Sequence, residues 1–158
     1  MGGLLGFGGS VQDVTPFLPE EFVSKNGNVK KEDVLKNEII GVYFSAHWCG
    51  PCRQFTPKLV DFYNQANKDK KQIEIIFNSA DQDQDGFDEY FGTMPWIATP
   101  FDSDAKNKID EACGINSIPQ LIIFDNKGHV LDSNGRAAVT NQGLAALTTW
   151  RNNIPTTA

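Results

Sequence analysis

The pair Cys49-Gly50-Pro51-Cys52 sits at the junction of two segments with different periods, and that junction limits the folds open to the chain. Ahead of it lies Ile39–Phe44, an almost unbroken apolar and aromatic run of the kind that forms a strand buried on both faces. Behind it, from Cys49 to about Lys68, Phe55, Leu59, Phe62, Tyr63 and Ala66 recur at three- and four-residue spacing, the stripe of an amphipathic helix. Both cysteines therefore fall at a helix start, where side chains three apart lie roughly 5–6 Å from each other at Cβ. That is close enough for a disulfide to be made and broken.

The remaining segments extend this pattern. Ile73–Ser79 predicts a second buried strand, and Leu121–Phe124 and His129–Asp132 bracket Asp125-Asn126-Lys127-Gly128 as an antiparallel hairpin. Helices are expected over Phe87–Phe91, over Asp104–Cys113 with Asp102 or Ser103 as cap, and from a Thr140 cap through Trp150, with Leu144, Leu147 and Trp150 on one face. Met94-Pro95-Trp96 reads as an irregular apolar connector. Asn26-Gly27 predicts a turn between Phe17–Val23 and Asn28–Leu35. Pro57 removes a hydrogen bond inside the long helix and predicts a kink. The order strand, helix, strand, helix, strand pair, helix predicts an α/β chain, a central mixed β-sheet flanked by helices on both faces. Residues 17–158 are expected to form this single domain, behind a flexible Gly-rich segment over residues 1–16.

A chain of 158 residues, 40% of them hydrophobic, suffices for one sizeable core. Its formal net charge of −6 argues against nucleic-acid phosphates or anionic membranes as partners. Three cysteines are too few, and odd in number, for a secreted disulfide framework. A Cys-x-x-Cys pair in such a chain points to a working thiol pair in a reducing compartment, with the cytoplasm expected and the nucleus also open. Met1–Ser10 lacks the basic start and apolar core of a targeting signal, and Gly6 stands where an N-myristoylation motif on Gly2 requires Ser or Thr. The Ile39–Ala46 run is far shorter than the ~20 residues that span a bilayer.

The chemistry of the pair follows from its place. The thiolate is the attacking species, and a helix N-terminus lowers a thiol's pKa through free N–H groups and the positive end of the dipole. Cys49, at that end and exposed, is the expected nucleophile; Cys52, further into the turn and shielded, is the expected resolving thiol. Gly50 lets a partner sulfur approach, and Pro51 is tolerated where its missing N–H has no partner to lose. Competing roles for the pair fit less well. Structural zinc needs four ligands, and Cys113, His47 and His129 supply no second closely spaced pair; covalent haem needs a histidine where Arg53 stands. A buried structural pair stays open. No metal and no cofactor beyond the disulfide itself are expected. Asp81, Asp83, Asp85 and Gly86 imitate the start of a calcium loop, but Gly92 occupies the position of the closing glutamate, so a solvated loop capping a short helix is expected. Cys113 reads as a small buried hydrophobe, and His47 as a loop residue beside Cys49.

Trp48-Cys49-Gly50-Pro51-Cys52 is identical to the signature of the thioredoxin family. Its frame, Val42 to Cys49 and then Cys52-Arg53-Gln54-Phe55-Thr56-Pro57, resembles the tryparedoxin and nucleoredoxin branch, as do Tyr90 to Trp96 and Gly114-Ile115-Asn116-Ser117-Ile118-Pro119. The resemblance implies a thioredoxin fold with Pro119 as a cis proline facing the pair. It also implies that the Ile118 backbone offers hydrogen bonds to an extended substrate, and that Trp48 and Trp96 shape the contact surface. Two departures stand out: Tyr43 replaces the aspartate of the thioredoxin branch that assists the second thiol, and Gly50 stands where tryparedoxins usually carry proline. The implied activity is reduction of protein disulfides, with peroxiredoxin-like proteins among the substrates and an upstream thiol or reductase as donor. A redox-sensitive binding module of the nucleoredoxin sort, with little turnover, is the alternative.

Overall fold

The computed structural model describes residues 11–156. In chain order it runs through a 3-10 turn (Thr15–Phe17), strands β1 (Glu21–Phe22) and β2 (Val29–Lys30), helix α1 (Lys31–Val34), strand β3 (Ile39–Ser45), helix α2 (Gly50–Ala66), β4 (Glu74–Ser79), α3 (Gln84–Phe91), β5 (Ile97–Ala98), α4 (Asp104–Ala112), β6 (Gln120–Asp125), β7 (Val130–Asp132), α5 (Gly135–Gln142) and α6 (Ala145–Asn152).

Every residue of β3 is buried, and this places it at the centre of a sheet ordered β5-β4-β3-β6-β7. β4 runs parallel to β3, β5 parallel to β4, and β6 and β7 are antiparallel additions on the other side, so the sheet is mixed. Successive strand side chains point to opposite faces, and the core divides accordingly. Ile39 and Tyr43 of β3, with Ile75, Phe77, Leu121 and Ile123, face the apolar stripes of α2, α3, α5 and α6. Ile40, Val42 and Phe44, with Ile76, Ile122 and Phe124, face Val34, Ile109 and Cys113 and the segment carrying Val14, Leu18 and Phe22. This is the sandwich expected from an apolar run without alternation. The lead-in hairpin β1–β2 joins the sheet edge through Val23 and Ala98, which exchange hydrogen bonds of 2.9 and 3.0 Å.

Several local expectations change. The helix expected from Thr140 to Trp150 is two helices. Asn134 caps α5 by accepting from Ala137 N, so Thr140 lies inside α5, and Gly143, at φ +57, ends it before α6 begins. Leu144 falls at that break and is 44% exposed, not in the stripe with Leu147 and Trp150. Ser103 occupies the N-cap position of α4, but its hydroxyl turns back to Pro100 O instead of capping. Pro57 lies inside α2, which runs on to Ala66. Of the segment expected to be flexible, residues 1–10, including Gly2, lie outside the described residues. Residues 11–16 are docked: Val14 is buried, and Gln12 N donates to Ala112 O at 2.8 Å.

α5 approaches β6 so closely that a Cβ on Gly135 would stand 2.9 Å from Leu121 Cγ and 3.0 Å from Leu121 O. The backbone carbonyl cannot swing aside as a flexible side chain would. We therefore expect Gly135→Ala to lower stability by about 1–3 kcal/mol through overpacking, measured by urea denaturation of the oxidised protein.

Candidate active site

The β3–α2 connection is tight. Cys49 N donates to Ala46 O at 3.2 Å, and Cys49 then takes the extended conformation of an N-cap residue. Its Sγ accepts the Cys52 N–H at 3.3 Å, the role an oxygen usually plays at a helix start, and the two sulfurs form a disulfide across a Cα–Cα distance of 5.2 Å. Gly50 and Pro51 occupy the first helical positions, with Pro51 exposed. Cys52 is fully buried; Cys49, expected to be exposed, keeps only 7% of its surface. The sulfurs lie in a small apolar nest of Ala46, Ala80 and Ile118. The Ile118–Pro119 peptide bond is cis, and its loop is held from behind by Arg136, whose Nη1 donates to Pro119 O at 2.9 Å while the guanidinium covers the Phe55 ring.

A second set of contacts comes from the end of β4. Asp81, read in the sequence as part of a solvated loop, is buried. Its carboxylate accepts the His47 N–H at 2.7 Å and the Ser79 hydroxyl at 2.7 Å. A buried carboxylate is tolerated only when its oxygens are filled in this way. The neighbouring Ala80 O accepts the Trp48 indole N–H at 3.0 Å, so a ring that is 58% exposed is nevertheless tethered. The Ala80-Asp81 pair thus clasps His47-Trp48, the two residues ahead of Cys49. Asp83 caps α3 through Gly86 N at 2.8 Å, as the loop reading expects. His47 stacks on Tyr90 and pairs with Glu89 at 3.4 Å, which turns it toward α3. There it borders a cleft of about 420 Å³ lined by Arg53, Thr56, Pro57, Val60, Tyr90 and Thr93.

Behind Cys52, Tyr43 takes up the place noted for its missing aspartate. Burial holds its phenol well above the ordinary range, so it stays protonated. Trp96, expected at the contact surface, is 2% exposed; it packs edge-on against Tyr43 and Tyr63 and belongs to the core. Its large apolar area is worth more buried beneath α2 than offered to solvent. Cys113 is the third thiol, free and buried, as a small hydrophobe should be.

A family model described as thioredoxin-like matches residues 37–130, well over half of the chain. The chain belongs to the thioredoxin-like family. It is 40% identical over 144 residues to a probable nucleoredoxin 1 of Arabidopsis thaliana, covering 88% of this chain and 25% of that protein. It is 34% identical over 140 residues to the tryparedoxin of Trypanosoma brucei brucei, covering 86% of this chain and 96% of that one. Among solved structures, tryparedoxin from Trypanosoma brucei superposes with a TM-score of 0.79 at 32% identity, over 89% of this chain and 99% of the other. The thioredoxin fold and the nucleoredoxin- and tryparedoxin-like character read from the motifs are thereby established. This thioredoxin-like chain spans about a quarter of the length of the plant nucleoredoxin it matches. No helix among the described residues is long and apolar enough to cross a membrane.

Two of the residues that organise this site gave little signal in the sequence. Asp81 looked like one of several acidic loop residues, although its position two after Ser79 at a strand end marks it as the one able to fold back. Arg136 lies 84 positions after Cys52 and carries no motif.

Two outcomes follow. Asp81→Ala should cost about 2–3 kcal/mol, the scale of hydrogen bonds to a charged acceptor, whereas Asp83→Ala should cost only about 1 kcal/mol, the value of one helix cap; urea denaturation separates them. Burial raises the Cys113 thiol from its ordinary value of 9.0 to about 12. A thiol raised in the folded state favours folding fully below the unfolded value and loses that contribution as pH climbs from about 9 toward 12. Native alkylation of the reduced protein near neutral pH should accordingly label Cys49 and spare Cys113, as read by peptide mass spectrometry.

Proposed function

We propose that the chain is a thiol–disulfide oxidoreductase that reduces protein disulfides through Cys49 and Cys52. The observation that carries this reading is the Cys49 sulfur standing as N-cap of α2, where it accepts the Cys52 N–H and meets the positive end of the helix dipole. In the reduced protein the same N–H groups favour the Cys49 thiolate over the thiol.

The cycle balances as two exchanges. The Cys49 thiolate attacks one sulfur of a substrate disulfide, forming a mixed disulfide and releasing the other substrate sulfur as a thiolate that takes up a proton. Cys52, deprotonated, then attacks the Cys49 sulfur, restoring the intramolecular disulfide and releasing the second substrate thiol. Two electrons and two protons have passed to the substrate; an upstream dithiol or reductase returns them. Only Cys49 keeps any surface, which supports its assignment to the first step and that of fully buried Cys52 to the second.

Around the pair, Trp48 offers a tethered ring, Gly50 and Pro51 leave the approach low, and Ile118, joined by its cis bond to Pro119, packs against the cysteines. We assign these residues to substrate contact, with the Ile118 backbone pairing to an extended peptide. Peroxiredoxin-like proteins are one substrate class consistent with the tryparedoxin relatives, and the cytoplasm or nucleus is the proposed location. Reduction of insulin disulfides by dithiothreitol-coupled turnover tests the reading. Cys49→Ser should abolish catalysis, and Cys52→Ser should accumulate mixed disulfides in place of turnover. Undiminished turnover by Cys49→Ser would sink the proposal. Negligible turnover by the parent protein, with partner capture that differs between reduced and oxidised forms, would instead favour a redox-sensitive binding module.

A further inference from the structure

Behind Cys52 lies a buried cluster of four hydroxyls drawn from three elements: Tyr43 and Ser45 of β3, Thr56 of α2 and Tyr90 of α3. Ser45 Oγ meets Tyr90 Oη at 2.6 Å, Tyr90 Oη meets Thr56 Oγ1 at 2.6 Å, and Thr56 Oγ1 meets Tyr43 Oη at 2.7 Å. The cluster also reaches the backbone of Cys52, whose carbonyl lies 3.0 Å from Thr56 Oγ1 and 3.4 Å from Tyr43 Oη.

Four hydroxyls carry four protons, and the three links between them consume three. If Ser45 donates to Tyr90, Tyr90 to Thr56 and Thr56 to Tyr43, the last proton passes from Tyr43 to the Cys52 carbonyl. If Tyr43 and Tyr90 both donate to Thr56, the last proton passes from Thr56 to the same carbonyl. In both arrangements every proton is used and the sequence of bonds ends on Cys52. Buried hydroxyls with all their capacity satisfied are rigid, because any displacement leaves a group unpaired in a low-dielectric interior. Tyr90 is further held by its edge-on contact with Phe77 and its stacking on His47.

Resting on the oxidoreductase reading above, we propose that Thr56 and Tyr90, with Tyr43, are positioning residues for the resolving step, an uncharged cluster that fixes the Cys52 backbone so that its thiol is aimed at the Cys49 sulfur. The selectivity for one step follows from geometry. In the first exchange Cys49 attacks an incoming sulfur that can adjust its approach. In the second, the buried Cys52 thiol must reach a sulfur attached to its own helix turn, so the position of its backbone limits the line of attack. The cluster touches Cys52 and, among its hydrogen bonds, none goes to Cys49.

The test is stopped-flow reaction of the reduced protein with a symmetric chromogenic nitrobenzoate disulfide, which releases one coloured thiolate as Cys49 attacks and a second as Cys52 resolves. Thr56→Val and Tyr90→Phe should leave the first phase within about twofold of the parent and slow the second about fivefold, the kinetic equivalent of roughly one neutral hydrogen bond. Thr56→Ser, which keeps the hydroxyl, should restore the second phase. A merely structural role would not separate the two phases. An unchanged second phase in either folded variant, or equal slowing of both phases, would overturn the positioning role. Should Thr56→Val fail to fold, Tyr90→Phe alone decides the matter by the same criteria. A parent protein that releases only the first thiolate would instead remove the dithiol mechanism itself, an outcome distinct from any change confined to the variants.

Discussion

The rest of the structure depends on the passage from β3 into α2. β3 is hydrogen-bonded on both sides and covered on both faces, so its end is among the least mobile points of the chain. Only four residues separate it from α2, whose first turn inherits that fixed position. A helix N-terminus concentrates unpaired N–H groups and a partial positive charge, and here the group that meets them is sulfur. The disulfide is thus placed by a fully buried central strand and polarised by the longest helix.

Two kinds of support hold this junction, and they differ in charge. On the side of the exposed Trp48 ring, the Asp81 carboxylate grips His47 and the Ala80 carbonyl grips Trp48, so the loop before Cys49 is fixed by one buried carboxylate and one backbone acceptor. On the inner side, the contacts to Cys52 are neutral: hydroxyls of Tyr43 and Thr56 backed by Tyr90 and Ser45. Burial keeps the Tyr43 phenol protonated, so this side of the site carries no charge that changes near neutral pH. A carboxylate in the same place would put a desolvated charge beside the buried Cys52 sulfur. The opposite wall, the cis Ile118–Pro119 loop, is anchored by Arg136 reaching from α5.

Much of this was legible in the chain. The unbroken apolar run of Ile39–Phe44, the stripe on α2 and the hairpin around Asp125–Gly128 are short-range patterns, and short-range patterns survive without knowledge of the fold. The differences lie where a residue's place depends on the backbone conformation of its neighbour or on distant partners. Leu144 fits a helical stripe by spacing, yet the positive φ of Gly143 breaks that helix. The family resemblance puts Trp96 at the contact surface, but Tyr43 and Tyr63 close over it. Asp81 belongs by sequence to a solvated acidic run, and only the adjacency of the β4 end to His47 buries it.

What the sequence by itself determined is the chemistry and the class of fold: a Cys-x-x-Cys pair at a helix mouth behind a doubly buried strand, within an alternation of strands and helices that demands a mixed sheet covered on both faces. Spacing along the chain decides these, because a dithiol needs only three intervening bonds of helix and a strand needs only its own side chains. The tertiary structure alone decided which groups stand around the sulfurs. Asp81 binds the His47 N–H ahead of Cys49, Tyr90 backs Thr56 behind Cys52, and Arg136 holds the Pro119 carbonyl, each from a separate segment. Their contacts exist because β3, β4 and β6 pair at those registers and α3 and α5 pack over them, and no local pattern in the sequence encodes a hydrogen bond between residues so far apart.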